Sequence, residues 1–178
     1  TCGELAKMLN EQGVLKDGKK CKLTVVPMKN WKRSMTWEDT GLQWVPTSPH
    51  IPEASTPIYY VATGMLGELE QMSIGVGYTM PFKVFGAEWN DSRKLADRLH
   101  MLNIPGVYFR SLTFRPFYGR LKDKNVQGVQ MHITDYSKVN LMSLQFLFMQ
   151  VHNELYPDKN PFALADSSRL KMFDKVSG

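Results

Sequence analysis

The sequence predicts a mixed α/β fold from three observations. The chain has 178 residues, 43% of them hydrophobic, which is enough to bury a core without disulfides or a metal. In the first part, an amphipathic helical segment is followed by a short β-branched run, which is typical of an α/β layer. Beyond Gly106, apolar and polar residues alternate, which is typical of antiparallel strands. We therefore expect the α/β class, in the form of a mixed α+β fragment whose second part is rich in strands.

The first elements follow from local signals. Thr1 and Glu4 have the spacing of a capping box and predict a helix that ends near Gly13. After a lysine-rich turn, Cys21–Met28 is rich in β-branched residues and predicts a buried strand. Residues 30–52 show no period and contain three tryptophans and three prolines. They predict a long irregular loop that either packs on itself or is shaped to hold a ligand.

The middle of the chain predicts two helices and a glycine-rich strand. Pro57 fits the first turn of a helix. The glycines of Ser73–Gly77 predict a short strand that another backbone or a ligand approaches closely. A cap at Asn90 or Asp91 predicts the next helix, which runs to about Asn103.

The last third predicts a hairpin followed by helices. Residues 107–114 and 126–133 alternate as antiparallel strands, and the turn between them contains Lys122–Asn125. The apolar spacing of Val139–Leu155 and of Ala165–Phe173 predicts a helix in each segment.

Charge and composition exclude several classes of protein. The chain carries 22 basic and 17 acidic residues, a net charge of +5, but the basic residues form no single stripe, so we expect no nucleic-acid partner. No apolar run approaches the roughly 20 residues that a membrane span needs. Cys2 and Cys21 have neither disulfide-scaffold nor zinc spacing, and the phosphate-loop and dinucleotide motifs are absent. The sequence therefore predicts no metal and no cofactor.

A carboxylate is the most informative candidate for chemistry. Hydrolysis of a glycosidic bond needs one carboxylic acid and usually a second carboxylate. Glu68 follows Gly64 and Gly67 at the end of a predicted helix, where apolar neighbours would desolvate it. The alternative is a carboxylate that only accepts backbone hydrogen bonds in a tight turn.

Aromatic and basic side chains supply candidate sugar contacts. A pyranose presents an apolar face, so Trp37 or Trp44 could form a stacking platform, although tryptophans in a core would give the same pattern. Arg110 follows Phe109, and a second aromatic and arginine-rich run spans Phe114–Arg120. Such arginines could clamp a carboxylate, such as a lactyl group or a peptide terminus, or stack on rings for structural reasons.

Short motifs spread in collinear order over nearly the whole chain carry a family resemblance. They are Thr1–Ala6, Leu23–Met28 with Asn30 and Trp31, Thr40–Val45, Ser48 with Pro49, Ser73–Gly77, Pro81 with Phe82, Phe85–Trp89 and Pro105–Val107. In these motifs the chain resembles the bacterial NamZ-type exo-β-N-acetylmuramidase family.

The resemblance implies a glycoside hydrolase that releases N-acetylmuramic acid from the non-reducing end of peptidoglycan fragments in cell-wall recycling. It also implies that residues 1–90 are the second half of a Rossmann-like catalytic domain and that residues 91–178 are a smaller β-rich auxiliary domain with helices. The N-terminal half of the same protein, with at least one catalytic carboxylate, would lie outside this chain. The implied location is extracytoplasmic, either periplasmic or secreted. The alternative is a non-catalytic module that binds peptidoglycan or another carbohydrate.

Position by position, the resemblance places Glu68 on the glutamate of a Glu-Gly-Thr motif, in which Leu69 and Glu70 replace Gly-Thr. Val76 replaces an arginine of the family, and His50 replaces an asparagine. These departures remove two groups that could hold an anionic sugar, and Arg110 or Arg115 could compensate. The expected catalytic residue is Glu68, in an acid/base or substrate-orienting role, and the expected contacts to peptidoglycan-derived amino sugars are Ser48, His50, Tyr59, Trp37, Trp44 and Arg110.

Overall fold

Six α-helices and one three-stranded sheet form the regular structure of the chain, which the computed structural model describes over residues 1–178. The chain divides into two compact units, residues 1–43 and residues 44–178. None of the helices has the length and apolar character that a membrane crossing requires. The elements are α1 (Cys2–Glu11), α2 (Thr56–Glu68), β1 (Val84–Ala87), α3 (Ser92–Met101), β2 (Val107–Phe114), β3 (Val126–Ile133), α4 (Leu141–Leu155), α5 (Pro161–Leu164) and α6 (Ser167–Ser177).

The first unit contains one α-helix and a long irregular segment. The capping box predicted for α1 is confirmed, because Thr1 and Glu4 each accept a hydrogen bond from the other's backbone nitrogen. The strand predicted at Cys21–Met28 is wrong. This segment pairs with no other strand, and Val26 is 85% exposed. Its composition favours extended backbone, but a strand also needs a partner ladder, and only the Asn10 side chain bonds the backbone of Cys21.

The sheet lies in the second unit and is antiparallel throughout, in the order β1-β3-β2. The predicted pair β2 and β3 is confirmed, and β1 adds to the other edge of β3. Gly86 of β1 faces Gly128 of β3 at close range, so neither position has room for a side chain. Because β1 precedes residue 90 and β2 follows it, the sheet crosses the expected domain boundary, and the division into 1–90 and 91–178 stays a prediction.

Helices α2, α3 and α4 supply the core with their apolar faces. Phe85 stacks on Phe148 of α4 with ring centroids 4.9 Å apart, and Phe109 meets Phe148 edge-on at 5.6 Å. The start predicted for α3 is confirmed, because Asp91 caps it by accepting hydrogen bonds from two backbone nitrogens. The mixed α/β class predicted from the sequence is therefore confirmed for this chain.

The glycine-rich segment predicted as a strand forms a turn instead. Ser73 makes a single bridge to Gly86, and Gly75 and Gly77 adopt positive φ angles of 85° and 87°. The expected close approach of another backbone is confirmed, since the carbonyl of Met80 lies against Gly75 and that of Tyr118 lies against Gly77. Positive φ is accessible to glycine at little cost, which explains why the strand pattern breaks here.

Candidate active site

A cavity of about 370 Å³ opens beside the end of α2, within the size range of about 300–1,000 Å³ for small-molecule sites. Three segments surround it, namely α2, the glycine-rich turn and the loop between β2 and β3. The polar and aromatic residues that line it include Tyr60, Glu68, Glu70, Ser73, Tyr118 and Arg120.

Helix α2 presents one face to this cavity. Tyr60, Gly64 and Glu68 follow one another at intervals of four residues, which places them on the same side of the helix. Gly64 makes room for the Tyr60 ring, because a Cβ atom there would lie 2.8 Å from Tyr60 Cε2. The ring also packs edge-on against Phe82 at 4.6 Å. Tyr60 thus forms an aromatic wall of the cavity next to the carboxylate.

Glu68 is the carboxylate that remains available in this cavity. Its side chain is half-buried, accepts no hydrogen bond and forms no ion pair. Glu70 differs, because its carboxylate pairs with Arg169 of α6 at 3.1 Å and its carbonyl accepts a hydrogen bond from Arg120. The cavity therefore holds two carboxylates, of which only Glu68 lacks a structural partner.

The loop between β2 and β3 is fixed onto the glycine-rich turn. The Phe117 N–H donates to the Gly77 carbonyl at 2.7 Å, and the Asp123 N–H donates to the Pro116 carbonyl at 2.9 Å. The first bond ties the loop segment that carries Tyr118 to the glycine-rich turn, and the second closes the loop on itself. The side of the cavity formed by this loop is therefore built by backbone contacts that the glycine permits.

A second cavity of about 250 Å³ lies next to the first and shares Tyr60, Gly64 and Glu68 with it. Its other lining is mainly apolar and includes Met65 of α2, Met142 and Gln145 of α4, and Val176 of α6. The Gln145 side chain is buried, with Nε2 3.3 Å and 2.8 Å from the two methionine sulfurs and with no partner for Oε1. Glu68 thus borders two chambers.

Ser48 and His50 adjoin the first cavity without lining it. The Tyr118 hydroxyl lies 2.7 Å from His50 Nδ1, and the two rings stack at 5.6 Å. The Ser48 hydroxyl accepts a hydrogen bond from the His50 backbone nitrogen at 3.1 Å. The structure therefore brings Ser48 and His50 together, and His50 contacts Tyr118, which lines the cavity.

Tyr59 and Arg110 are placed elsewhere. Tyr59 is 8% exposed, belongs to the core, and its hydroxyl accepts a hydrogen bond from the Ile133 backbone nitrogen. Arg110 lies on β2, where Nε and Nη2 both donate to the Gln130 amide oxygen at 3.1 Å and 2.6 Å. Neither side chain lines the cavity.

The tryptophans expected as a sugar platform are bound to nearby backbone. Trp44 Nε1 donates to the Ile51 carbonyl at 3.3 Å, and this ring does not line the cavity. Trp37 belongs to the first unit, where Nε1 donates to the Leu42 carbonyl at 2.9 Å. The aromatic lining of the cavity comes from other rings, those of Tyr60, Phe82 and Tyr118.

Sequence reasoning missed Arg120 as a cavity residue. The signal was present in the run Phe114–Arg120, but three arginines near the hairpin shared the same aromatic context. Arg110 and Arg115 turn out to bond to the amide oxygens of Gln130 and Asn125. Only the path of the loop distinguishes Arg120, and that path depends on contacts with the distant glycine-rich turn.

Two family models match this chain, and they meet between residues 55 and 58, whereas the two compact units meet between residues 43 and 44. The family model described as exo-beta-N-acetylmuramidase NamZ, C-terminal, matches residues 58–178, and the model described as NamZ, N-terminal, matches residues 1–55. The chain is 35% identical over 178 residues to the peptidoglycan beta-N-acetylmuramidase NamZ of Bacillus subtilis (strain 168), covering 100% of this chain and 41% of that protein.

A crystal structure of a DUF1343 family protein from Bacteroides fragilis NCTC 9343 is similar as well. Its TM-score is 0.91 and its sequence identity is 52%, over 99% of this chain and 45% of that chain. The chain thus spans less than half the length of both relatives.

Proposed function

Since the chain belongs to the NamZ exo-β-N-acetylmuramidase family, we propose that its protein is a glycoside hydrolase that releases N-acetylmuramic acid from the non-reducing end of peptidoglycan fragments. The family relationship and the similarity to a peptidoglycan β-N-acetylmuramidase support the proposal. It includes an extracytoplasmic location, because peptidoglycan lies outside the cytoplasmic membrane.

The observation that carries the proposal is the unpartnered Glu68 carboxylate in a cavity with aromatic walls. Glycoside hydrolysis needs a carboxyl group that gives a proton to the leaving oxygen or takes one from the attacking water. A carboxylate already bound in an ion pair is less suited to that exchange, so Glu68 is a better candidate than Glu70. The rings of Tyr60 and Tyr118 can pack on the apolar face of a sugar.

Replacing Glu68 by glutamine in the full-length protein tests this role. The amide keeps the shape of the side chain but can no longer exchange a proton, so we expect kcat for release of N-acetylmuramic acid to fall by about 10²–10⁴-fold. Binding of the sugar should persist, because the cavity walls are unchanged. The matched control is Glu154→Gln. It alters an exposed carboxylate of α4 that pairs with Arg98 and does not line the cavity.

Two results would contradict the proposal in different ways. Release of N-acetylmuramic acid at the wild-type rate by Glu68→Gln would remove Glu68 from the mechanism. Saturable binding of muropeptides by a wild-type protein that releases no sugar would instead identify a non-catalytic carbohydrate-binding module.

A further inference from the structure

Arg120 is a cation at the cavity that no carboxylate neutralises. It lies in the loop between β2 and β3 and lines the same cavity as Glu68 and Glu70. The structure gives it no ion pair, because Arg169 takes the carboxylate of Glu70. Its single hydrogen bond runs from Nη1 to the Glu70 carbonyl at 3.3 Å.

The unoccupied edge of this guanidinium is the edge that binds carboxylates. Arginine holds a carboxylate with two parallel N–H bonds, and the Nε and Nη2 donors form one such fork. Arg110 and Arg115 direct this fork at the amide oxygens of Gln130 and Asn125. Arg120 is anchored through Nη1 instead, which leaves its fork without a partner.

The hydrogen bond to the Glu70 carbonyl also limits where the Nε and Nη2 donors can lie. Glu70 has a positive φ of 53° in the turn after α2, and this turn presents its carbonyl to Arg120. The Lys122 N–H donates to the Gly119 carbonyl at 3.1 Å, which closes the loop around the arginine. The exposed Arg120 side chain is thus tethered to the Glu70 carbonyl by one N–H, while four of its five N–H donors remain free.

The charges of the other cavity residues make Arg120 important for binding an anionic ligand. Glu68 and Glu70 would repel an anionic ligand, and the ion pair with Arg169 offsets only the charge of Glu70. An anionic group entering next to Glu68 therefore needs a positive partner, and Arg120 is the cavity-lining cation that can supply one.

We propose that Arg120 is a specificity-determining residue that binds a carboxylate of the substrate through Nε and Nη2. This inference rests on the proposed function, under which that carboxylate belongs to the lactyl group of N-acetylmuramic acid. The lactyl ether is the feature that distinguishes this sugar from N-acetylglucosamine. A fork that recognises it selects muramic acid residues at the non-reducing end.

The test compares two ligands of similar shape that differ only at the lactyl carboxyl group, which is a carboxylate in one and a neutral amide in the other. Calorimetry on the full-length protein measures the dissociation constants of N-acetylmuramic acid and of its neutral lactamide. The wild-type protein should prefer the acid by about tenfold or more, since hydrogen bonds to charged groups exceed neutral ones by that order. Arg120→Gln should abolish the preference by weakening binding of the acid alone, and Arg120→Lys should restore part of it.

The matched controls are Arg110→Gln and Arg115→Gln, which remove the two arginines whose forks are already occupied and should keep the wild-type preference. No preference in the wild-type protein, or equal weakening of both ligands by Arg120→Gln, would overturn the inference. The proposed function is judged separately by turnover. A wild-type protein that prefers the acid but releases no sugar would end the hydrolase proposal and leave the role of Arg120 intact.

Discussion

At the scale of single residues, position 77 requires glycine, both because its φ angle is positive and because the Tyr118 carbonyl lies close to it. Its φ is 87°, and a Cβ atom there would lie 2.7 Å from the Tyr118 carbonyl oxygen. We predict that Gly77→Ala lowers the free energy of unfolding by about 2–5 kcal/mol, because left-handed strain adds to a clash with backbone that cannot move freely. Chemical unfolding in urea measures the change.

Gly119 provides the matched control for Gly77. Its φ is 83°, but nothing lies within 4 Å of the position of its Cβ atom. Gly119→Ala should therefore cost only the conformational strain, about 1–2 kcal/mol. Equal costs for the two variants would show that the contact with the Tyr118 carbonyl does not constrain the loop.

The position of a single residue could be predicted from the sequence where the signal was local, whereas its role stays a prediction. The position of Glu68 followed from its place after two glycines at the end of a helix, and the structure puts it at a cavity. The choice among arginines could not be made from sequence, because Arg110 and Arg120 share aromatic neighbours and differ in their distant partners. Arg110 bonds the side chain of Gln130, whereas Arg120 bonds the backbone carbonyl of Glu70. The sugar-platform role of the tryptophans stays a prediction for the same reason, since a ring that packs on its own loop and a ring that faces a ligand have the same sequence pattern.

At the scale of elements, α4 is joined to the segment after β1 through a buried histidine. His152 is fully buried, and its Nε2 accepts a hydrogen bond from Trp89 Nε1 at 3.0 Å. This bond places the imidazole proton on Nδ1, which lies 3.4 Å from the Asn153 amide oxygen. Burial lowers the pKa of His152 below its ordinary value.

The sign of the resulting pH dependence follows from proton uptake. The unfolded chain binds the proton at higher pH than the folded chain, so the stability that neutral His152 contributes is complete above the ordinary histidine pKa, about 6.5, and is lost as pH falls toward the lowered folded value. We predict a decline of up to about 1.4 kcal/mol per pH unit in this range for one proton. Urea unfolding at a series of pH values measures it.

Two variants isolate this contribution. His152→Gln keeps an acceptor for Trp89 but cannot titrate, so its free energy of unfolding should fall less steeply with acid than that of the wild-type protein. His132→Asn, at an exposed position on β3, is the matched control variant. A slope unaltered by His152→Gln would mean that the acid sensitivity arises elsewhere.

Element prediction depended on whether a segment needed distant partners. The capping signals of α1 and α3 lie within four residues and were sufficient. The alternation of β2 and β3 was also sufficient, because the two strands are consecutive in the chain and pair with each other. Cys21–Met28 has strand composition without a partner, and Ser73–Gly77 has strand context interrupted by positive φ.

At the scale of the whole molecule, the two units differ in how much they bury. Every buried residue belongs to residues 44–178, where the main core joins α2, α3, α4 and the sheet. Residues 1–43 contain no buried residue, and large apolar side chains such as Val26 and Met28 are exposed there. Burial of apolar surface is the main term that offsets chain entropy, so the stability of this chain resides in the second unit.

We predict that a polypeptide of residues 44–178 unfolds cooperatively in urea, whereas a peptide of residues 1–43 shows no cooperative transition. The first retains the whole core and the cavity beside α2, while the second has only α1, a helix of 10 residues, and isolated helices of this length are marginal in water. Far-ultraviolet circular dichroism measures both transitions. The intact 178-residue chain is the control, and its denaturant slope should match that of residues 44–178, because the slope follows the surface exposed on unfolding. A markedly larger slope for the intact chain would mean that residues 1–43 bury apolar surface in solution and contribute to the cooperative fold.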